Sequence, residues 1–322
     1  MREIPLPVLQ SANVPGNSAA YEVPLLMKSL LIVNPAAGQG RPSESLDALH
    51  SALDALVGGV VITQKPGDAE AAAREAGDGR MYDAVLVAGG DGTVNEVVNG
   101  LLSSGSALPL GLIPLGTQNV LAHELGLPSA ASLTDTAAML RRGKMRAIDI
   151  GRAGDRYFAL MAGFGFDAQV VREVLRPVKD LLGPAAYAFA TLGALARCHS
   201  SSLTLTLDDE EIRSEAYLVV IANAASYAYG QIKLAPFAAL DDGWLDVCVF
   251  EKAPSRRFGF AGQLMAVLAR RHLRDPRVRY YRARRIKIDS DPPIQGQLDG
   301  ETHGSSPLEI TLLPQALSLF VP

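Results

Sequence analysis

The sequence predicts an α/β amino-terminal domain built on a parallel sheet, followed by a second, largely antiparallel β-rich domain. Three observations predict it. In the first part of the chain short apolar runs alternate with segments of helical period. Three of those runs end in loops of small residues, as strands do where a parallel sheet binds its ligand. From about Asp149 the helical rhythm gives way to alternating runs separated by turn signals. A chain of 322 residues suits two cores rather than one, since domains of ~150 residues are the usual size. The division is expected at residues 1–27 for an arm, 28–148 for the α/β domain and 149–322 for the β-rich domain, whose last residues could return to the first.

Residues 1–27 carry Pro5, Pro7, Pro15 and Pro24 without periodicity and read as a loosely held arm. Leu30 to Val33 is the first buried strand; it enters the loop Asn34-Pro35-Ala36-Ala37-Gly38-Gln39-Gly40-Arg41 and a helix with Leu46, Leu49, Leu53 and Leu56 on one face. Val60 to Thr63 is the second strand, and the alanine-rich stretch Asp68 to Ala76 the next helix. Ala84 to Ala88 is the third strand; it breaks into Gly89-Gly90-Asp91-Gly92-Thr93 and resumes as a helix with Val94, Val97, Val98, Leu101 and Leu102. Leu110 to Ile113 is the fourth, running into Pro114-Leu115-Gly116-Thr117-Gln118-Asn119 and a short helix from Val120. All three small-residue loops should therefore meet at one sheet edge.

In the second half, Ala147 to Arg152 and Tyr157 to Met161 form a hairpin. Strands follow at Leu203 to Leu207, Tyr217 to Ala222, Leu245 to Phe250, Ile286 to Ile288 and Leu308 to Leu313. Two helical segments, Pro184 to Ala196 and Phe258 to His272, interrupt them.

A net charge of −4 argues against a nucleic-acid binder, which would show a broad basic surface. Cys198 and Cys248 stand far apart, so neither a disulfide framework nor a zinc site is indicated, and a reduced cytoplasm fits. No signal-peptide pattern and no run of ~20 apolar residues is evident, which points to a soluble or peripheral protein. His50, His123, His199, His272 and His303 have no metal-ligand spacing.

Glycines at 89, 90 and 92 leave no Cβ between the backbone and a ligand, so amides at a helix N-terminus can approach a phosphate. The stretch is not a P-loop, because no Lys-Ser/Thr pair follows a four-residue spacer, and it lacks the G-x-G-x-x-G spacing of a dinucleotide fold. Asp91 read alone could be a helix N-cap.

Asn34-Pro35-Ala36-Ala37-Gly38, Gly89 to Leu101, Pro114 to Asn119, Gly163-Phe164-Gly165-Phe166-Asp167, Ala235-Pro236 with Asp241 to Asp246, and Leu298-Asp299-Gly300-Glu301 resemble, in this order, the motifs of the diacylglycerol kinase catalytic family. Bacterial lipid kinases and the sphingosine and ceramide kinases share the series. The resemblance spans roughly residues 28 to 320. It implies a Rossmann-like parallel sheet, a β-sandwich second domain and an active site in the cleft between them. It further implies ATP and Mg²⁺ as cofactors, with Asn34, Pro35, Ala36, Ala37, Gly38, Thr63, Gly90, Asp91, Gly92, Thr93, Val94, Asn95, Glu96 and Thr117 around the nucleotide. Asp91 would act through Mg²⁺ or a bridging water. Phosphoryl transfer needs such donors and positive charge on the transferred oxygens.

By the same resemblance one of Asp299 and Glu301 is the expected catalytic base, with Glu301 favoured as proton acceptor and Asp299 beside it, although Asp-Gly alone is also a common β-turn. A second Mg²⁺ is implied at Asp242 with the carbonyls of Ala239 and Trp244, oxygen ligands that suit a hard ion; a plain turn is the alternative there. Arg270, Arg271, Arg274, Arg277, Arg279, Arg282, Arg284, Arg285 and Lys287 form one basic block that reads either as a contact with anionic membrane at the inner face or as a solvated surface. The expected activity is ATP-dependent phosphorylation of a lipid hydroxyl such as that of diacylglycerol. An NAD kinase and a non-catalytic lipid-binding regulatory member are the alternatives, and a homodimer is left open.

Overall fold

The computed structural model describes residues 21–22, 28–37, 51–53, 56–79, 81–127, 133–166, 199–227, 232–252 and 258–322. Most of the arm, Gly38, Leu46, Leu49, Asp167, Cys198 and the segment Pro184 to Ala196 lie outside the described residues.

After the short β1 (Tyr21–Glu22), the strands β2 (Ser29–Val33), β3 (Val57–Ile62), β4 (Ala84–Gly89) and β5 (Leu110–Pro114) pair in parallel, in the order β3-β2-β4-β5. β2, β4 and β5 are buried along their whole length, as strands covered on both faces must be, whereas β3 alternates at the sheet edge. Successive side chains point to opposite faces. Leu30, Ile32, Val85 and Val87 thus pack with α1 (Asp68–Gly79) and α2 (Asp91–Ser103), while Leu31, Val33, Leu86 and Ala88 pack with Met139 and Leu140 of α4 (Leu133–Arg142). Each such Leu, Ile or Val contributes about 1.5–3 kcal/mol by leaving water. The short α3 (Val120–Glu124) follows the third loop.

The second half is antiparallel. It comprises β6 (Lys144–Ala153), β7 (Arg156–Phe158), β8 (Met161–Gly165), β9 (Ser201–Leu207), β10 (Glu210–Ala222), the small hairpin β11 (Ser226–Tyr227) and β12 (Ile232–Lys233), and β13 (Leu245–Glu251). Then come α5 (Phe258–Leu268), a 3₁₀ turn at His272–Arg274, β14 (Val278–Ala283), β15 (Arg285–Asp291), β16 (Gln295–Leu298), β17 (Glu301–Ser305) and β18 (Leu308–Phe320). The long β10 pairs with β9 through its first half and with β8 and β13 through its second, across an irregularity between Ala216 and Leu218. One core of this half gathers around Phe158, Phe164, Leu205, Val219, Val247 and Ile286. Another lies between the β10–β13–β14 face and α5.

β18 ties the halves together. It pairs antiparallel with β15 and β6, and its Leu319 meets Leu110 of β5 in parallel. Several elements were not expected from the sequence, among them α4, β8, the β11–β12 hairpin, β14 and the β16–β17 hairpin. β14 turns Val278 and Tyr280 to the core under α5 and Tyr281 and Ala283 to the opposite core, but the interleaved Arg279 and Arg282 hide the pattern in a basic run. The β16–β17 hairpin carries few β-branched residues and announces itself only through its Asp-Gly turn.

Candidate active site at the domain seam

The loops after β2, β3, β4 and β5 meet at the carboxyl edge of the parallel sheet. Gly90 is the N-cap of α2, extended at φ −95°, ψ −177°, and offers the first-turn amides no side-chain acceptor. A helix N-terminus of this kind favours an anion. Gly116 comes so near that a Cβ on it would stand 2.5 Å from the Cα of Gly90, so only two glycines let the second and third loops touch. Asn119, left-handed at φ 48°, closes the third loop: its Oδ1 accepts from the Gly116 amide at 2.9 Å and its Nδ2 donates to the Gly116 carbonyl at 2.6 Å. In the first loop the Asn34 amide donates to the Ala88 carbonyl at 2.9 Å, Asn34 Nδ2 donates to Thr93 Oγ1 at 2.8 Å and Asn34 Oδ1 accepts from the Ala36 amide. Thr63 is buried, its amide bonded to the Val33 carbonyl. Asn34, Pro35, Ala36, Ala37, Thr63, Gly90, Gly92, Thr93, Val94 and the exposed Thr117 therefore belong to one edge. Asp91 Oδ1 accepts from the Val120 amide at 2.7 Å, so this carboxylate caps α3 from across the turn.

Leu298-Asp299-Gly300-Glu301 is the two-residue connection of β16 and β17, with positive φ at Asp299 (48°) and Gly300 (87°). That is the type I′ pattern Asp-Gly favours. The turn folds the Asp299 carboxylate back onto the start of β8. Its oxygens accept from the amides of Ala159 (2.8 Å), Leu160 (2.9 Å) and Met161 (2.9 Å), with Asn95 Nδ2 at 3.3 Å. Burial pushes its pKa up to about 6, against the pull of those donors. The Asp299 carboxylate is thus taken up by four donors, whereas its expected catalytic role would need it at a substrate hydroxyl. Glu301 is exposed, and its Oε1 lies 3.7 Å from where a Cβ at Gly92 would be. A carboxylate of the β-rich half thus stands over the glycine turn of the α/β half.

Two residues expected at the nucleotide are used elsewhere. Asn95 is buried and faces Asp299, not the phosphate edge. Glu96 Oε2 accepts from the Ala69 amide at 3.2 Å, in the first turn of α1, where a negative charge is favoured by the helix dipole. Asn99, one helical turn after Asn95, was missed. Its side chain donates to the Tyr157 carbonyl (3.0 Å) and accepts from the Tyr157 amide (2.9 Å), as a neighbouring strand would. Arg156 adds an ion pair to Glu70 at 2.7 Å. The available signal was two asparagines four apart inside an apolar helix, a placement that needs partners because Asn is a poor helix former.

The expected metal loop is also different. Asp242 Oδ1 accepts from the Trp244 amide at 3.1 Å and Oδ2 is paired with Arg282 Nη2; Arg282 Nε donates to Asp246 Oδ1 at 3.1 Å. The Asp242 and Asp246 side chains are almost wholly buried, and burial raises both pKa values, that of Asp246 to about 6. Arg146 holds Asp241 through two bonds of 2.8 and 2.6 Å. A guanidinium between two carboxylates does not fit a second, divalent cation at Asp242, Ala239 and Trp244, and no cluster of three metal-ligating side chains occurs among the described residues. Arg282→Met is expected to lower stability by about 3–5 kcal/mol, because it strands two buried carboxylates. Urea unfolding checks this, and the loss should be smaller below pH 6 than above it, since Asp246 takes up a proton there.

The basic block is likewise not one face. Arg277 pairs with Asp275, Arg279 with Glu251, Arg282 with Asp242 and Asp246, and Arg285 with Asp209. Arg284 stacks on the Trp244 ring at 4.5 Å and donates to the Gly243 carbonyl.

Comparison with known proteins finds matches to both halves of the chain. Residues 28–153 match the diacylglycerol kinase catalytic domain, and residues 161–321 match the YegS C-terminal NAD kinase beta sandwich-like domain. A diacylglycerol kinase of Staphylococcus saprophyticus is 32% identical over 298 residues, covering 92% of this chain and 95% of the relative. One of Bacillus subtilis is 33% identical over 258 residues, covering 80% and 83%. A crystal structure of a diacylglycerol kinase from Bacillus anthracis superposes with a TM-score of 0.76 at 26% identity, over 92% of this chain and 97% of that one.

Proposed function

This chain belongs to the diacylglycerol kinase family, and from that premise we propose that it uses ATP to phosphorylate a lipid hydroxyl, with diacylglycerol as the leading acceptor. Family membership makes it a phosphotransferase with an alcohol group as acceptor. The α/β half, residues 28–148, takes the nucleotide, and residues 149–322 take the lipid. The observation that carries the reading is Glu301 over the Gly92 turn: a proton acceptor for the attacking hydroxyl and an uncapped helix N-terminus for the phosphates share one space. The lipid oxygen bonds to the γ-phosphorus as the bond to the ADP oxygen breaks, and Glu301 receives the hydroxyl proton. The α2 amides stabilise charge on the transferred oxygens. Asp91 would hold Mg²⁺, directly or through a bridging water, and the ion would supply further positive charge on the phosphates. Asp299, Asn95 and Asn99 hold the two halves in register for that transfer.

A cavity of about 240 Å³ in the β-rich half, lined by Phe164, Leu203, Tyr217, Leu218, Pro293 and Ile294, supports an acceptor with an apolar chain. It lies along the β8–β16 ladder from the Asp299 turn, about 10 Å away at ~3.4 Å per residue. Contact with an anionic membrane belongs to the same reading; no helix among the described residues is long and apolar enough to cross one.

Labelled ATP offered with a panel of lipids and NAD tests the proposal. Transfer to diacylglycerol supports it. Transfer to NAD alone would establish the NAD kinase alternative, and transfer to nothing a non-catalytic member. Gly92→Val is expected to abolish ATP binding in calorimetric titration while the protein stays folded, because a Cβ at this position has only Glu301 Oε1 within 4 Å, at 3.7 Å, yet the side chain covers the amides. Unchanged affinity would remove the α2 terminus from the site.

A further inference from the structure

α5 is an inverted helix. Its sequence Phe258-Gly259-Phe260-Ala261-Gly262-Gln263-Leu264-Met265-Ala266-Val267-Leu268 has one polar side chain, and that one faces inward: Gln263 is 1% exposed and donates to the Glu251 carbonyl. Phe260 and Val267 fill the core beside it. Met265 and Leu268 are 64% and 60% exposed, which places them among the few large apolar side chains open to solvent in the described residues. A helix apolar all round is either buried or lipid-facing, and this one is buried on one side only.

Its end carries a second irregularity. The Arg271 amide donates to the Ala266 carbonyl and the Arg270 amide to Val267, the paired bonds of a Schellman ending, with Arg270 left-handed at φ 55°. Glycine is usual there and an arginine is strained. Arg270, Arg271 and Arg274 are exposed, whereas Asp275, the acidic neighbour, is held by Arg277. Three guanidinium groups thus sit within a turn or two of two exposed apolar side chains, on a protein of net charge −4. Phe260 also stacks on Tyr217, a wall of the cavity assigned to the acceptor chain, at 4.8 Å, so helix and cavity share a wall.

We propose that the carboxyl end of α5 docks the protein on an anionic bilayer, with Met265 and Leu268 entering the acyl boundary and Arg270, Arg271 and Arg274 against lipid phosphates. The inference deepens the lipid-kinase reading and rests on it only for the choice of a bilayer as occupant. A two-fold contact of this face with a second copy would set its arginines against like charges, whereas an anionic bilayer is complementary to them.

Co-sedimentation with vesicles of phosphatidylcholine containing a minority of phosphatidylglycerol, against phosphatidylcholine alone, is the test, without nucleotide. Wild type should favour the mixed vesicles. Met265→Ser with Leu268→Ser should weaken binding about ten-fold, and each arginine removed about five-fold. Arg270→Gly separates docking from folding: glycine relieves the left-handed position, so the melting temperature should hold or rise while vesicle binding falls. Wild-type binding by the folded Met265→Ser, Leu268→Ser protein would overturn the proposal. So would loss of self-association in sedimentation velocity with vesicle binding intact, which would make the face a contact between copies. Turnover of dispersed short-chain diacylglycerol keeps the two readings apart. No lipid turnover with binding that follows α5 would refute the kinase reading alone; normal turnover with binding indifferent to α5 would refute the docking surface alone.

Discussion

Glu301→Gln is expected to lower kcat by about 10²–10⁴-fold, the usual worth of general-base assistance, with little change in ATP affinity. The attacking alcohol has a pKa far above neutrality, and Glu301 is the carboxylate brought over the Gly92 turn. Glutamine keeps the size and loses the proton acceptor. Because the assistance is realised in the transition state, kcat and kcat/KM for the lipid should fall together. Steady-state kinetics with lipid and ATP varied separately check this. Wild-type turnover in the variant would assign the base elsewhere, and a matching fall in nucleotide affinity would make Glu301 a binding residue.

Asp299→Ala should act by another route, through stability. It orphans the amides of Ala159, Leu160 and Met161 and the side chain of Asn95 at the seam. Each buried donor left without an acceptor costs about 1–3 kcal/mol, so a total loss of about 3 kcal/mol or more is expected in urea unfolding. Glu301→Gln, on an exposed side chain, should leave the urea midpoint unchanged. The contrast distinguishes a residue that holds the site from one that reacts in it. The pH dependence has a definite sign. Asp299 titrates at about 6 when folded, above its ordinary 3.8, so the stability this titration contributes is present in full below 3.8 and is lost as pH rises through about 6. Asp299→Asn cannot titrate, and the difference between its urea midpoint and that of wild type should change across that window. A difference constant with pH would mean the carboxyl is ionised throughout.

Much of the site was legible because its signals are local. The apolar runs that became β2, β4 and β5, the glycine turn at 90–92 and the Asp-Gly turn at 299–300 owe their conformations to near neighbours. Motif order then placed Glu301 with the glycine turn. The exceptions are polar side chains whose partners are remote. Glu96 reads as a phosphate neighbour until α1 packs against α2 and presents the Ala69 amide. Asp242 reads as a metal ligand until the β13–β14 register sets Asp246 opposite Arg282 and brings that guanidinium between two carboxylates.

By itself, then, the sequence determined the order of elements, the edge at which the loops meet and the chemical types gathered there, since backbone freedom and apolar period are properties of a few adjacent residues. Tertiary structure alone decided which polar atoms remain for a substrate. Asn95 and Asp299 are 204 positions apart, and their contact joins an expected nucleotide neighbour to a carboxylate expected beside the base, across the two halves. A buried donor takes whatever acceptor the packing brings within 3 Å or so, and no local pattern encodes which one that is.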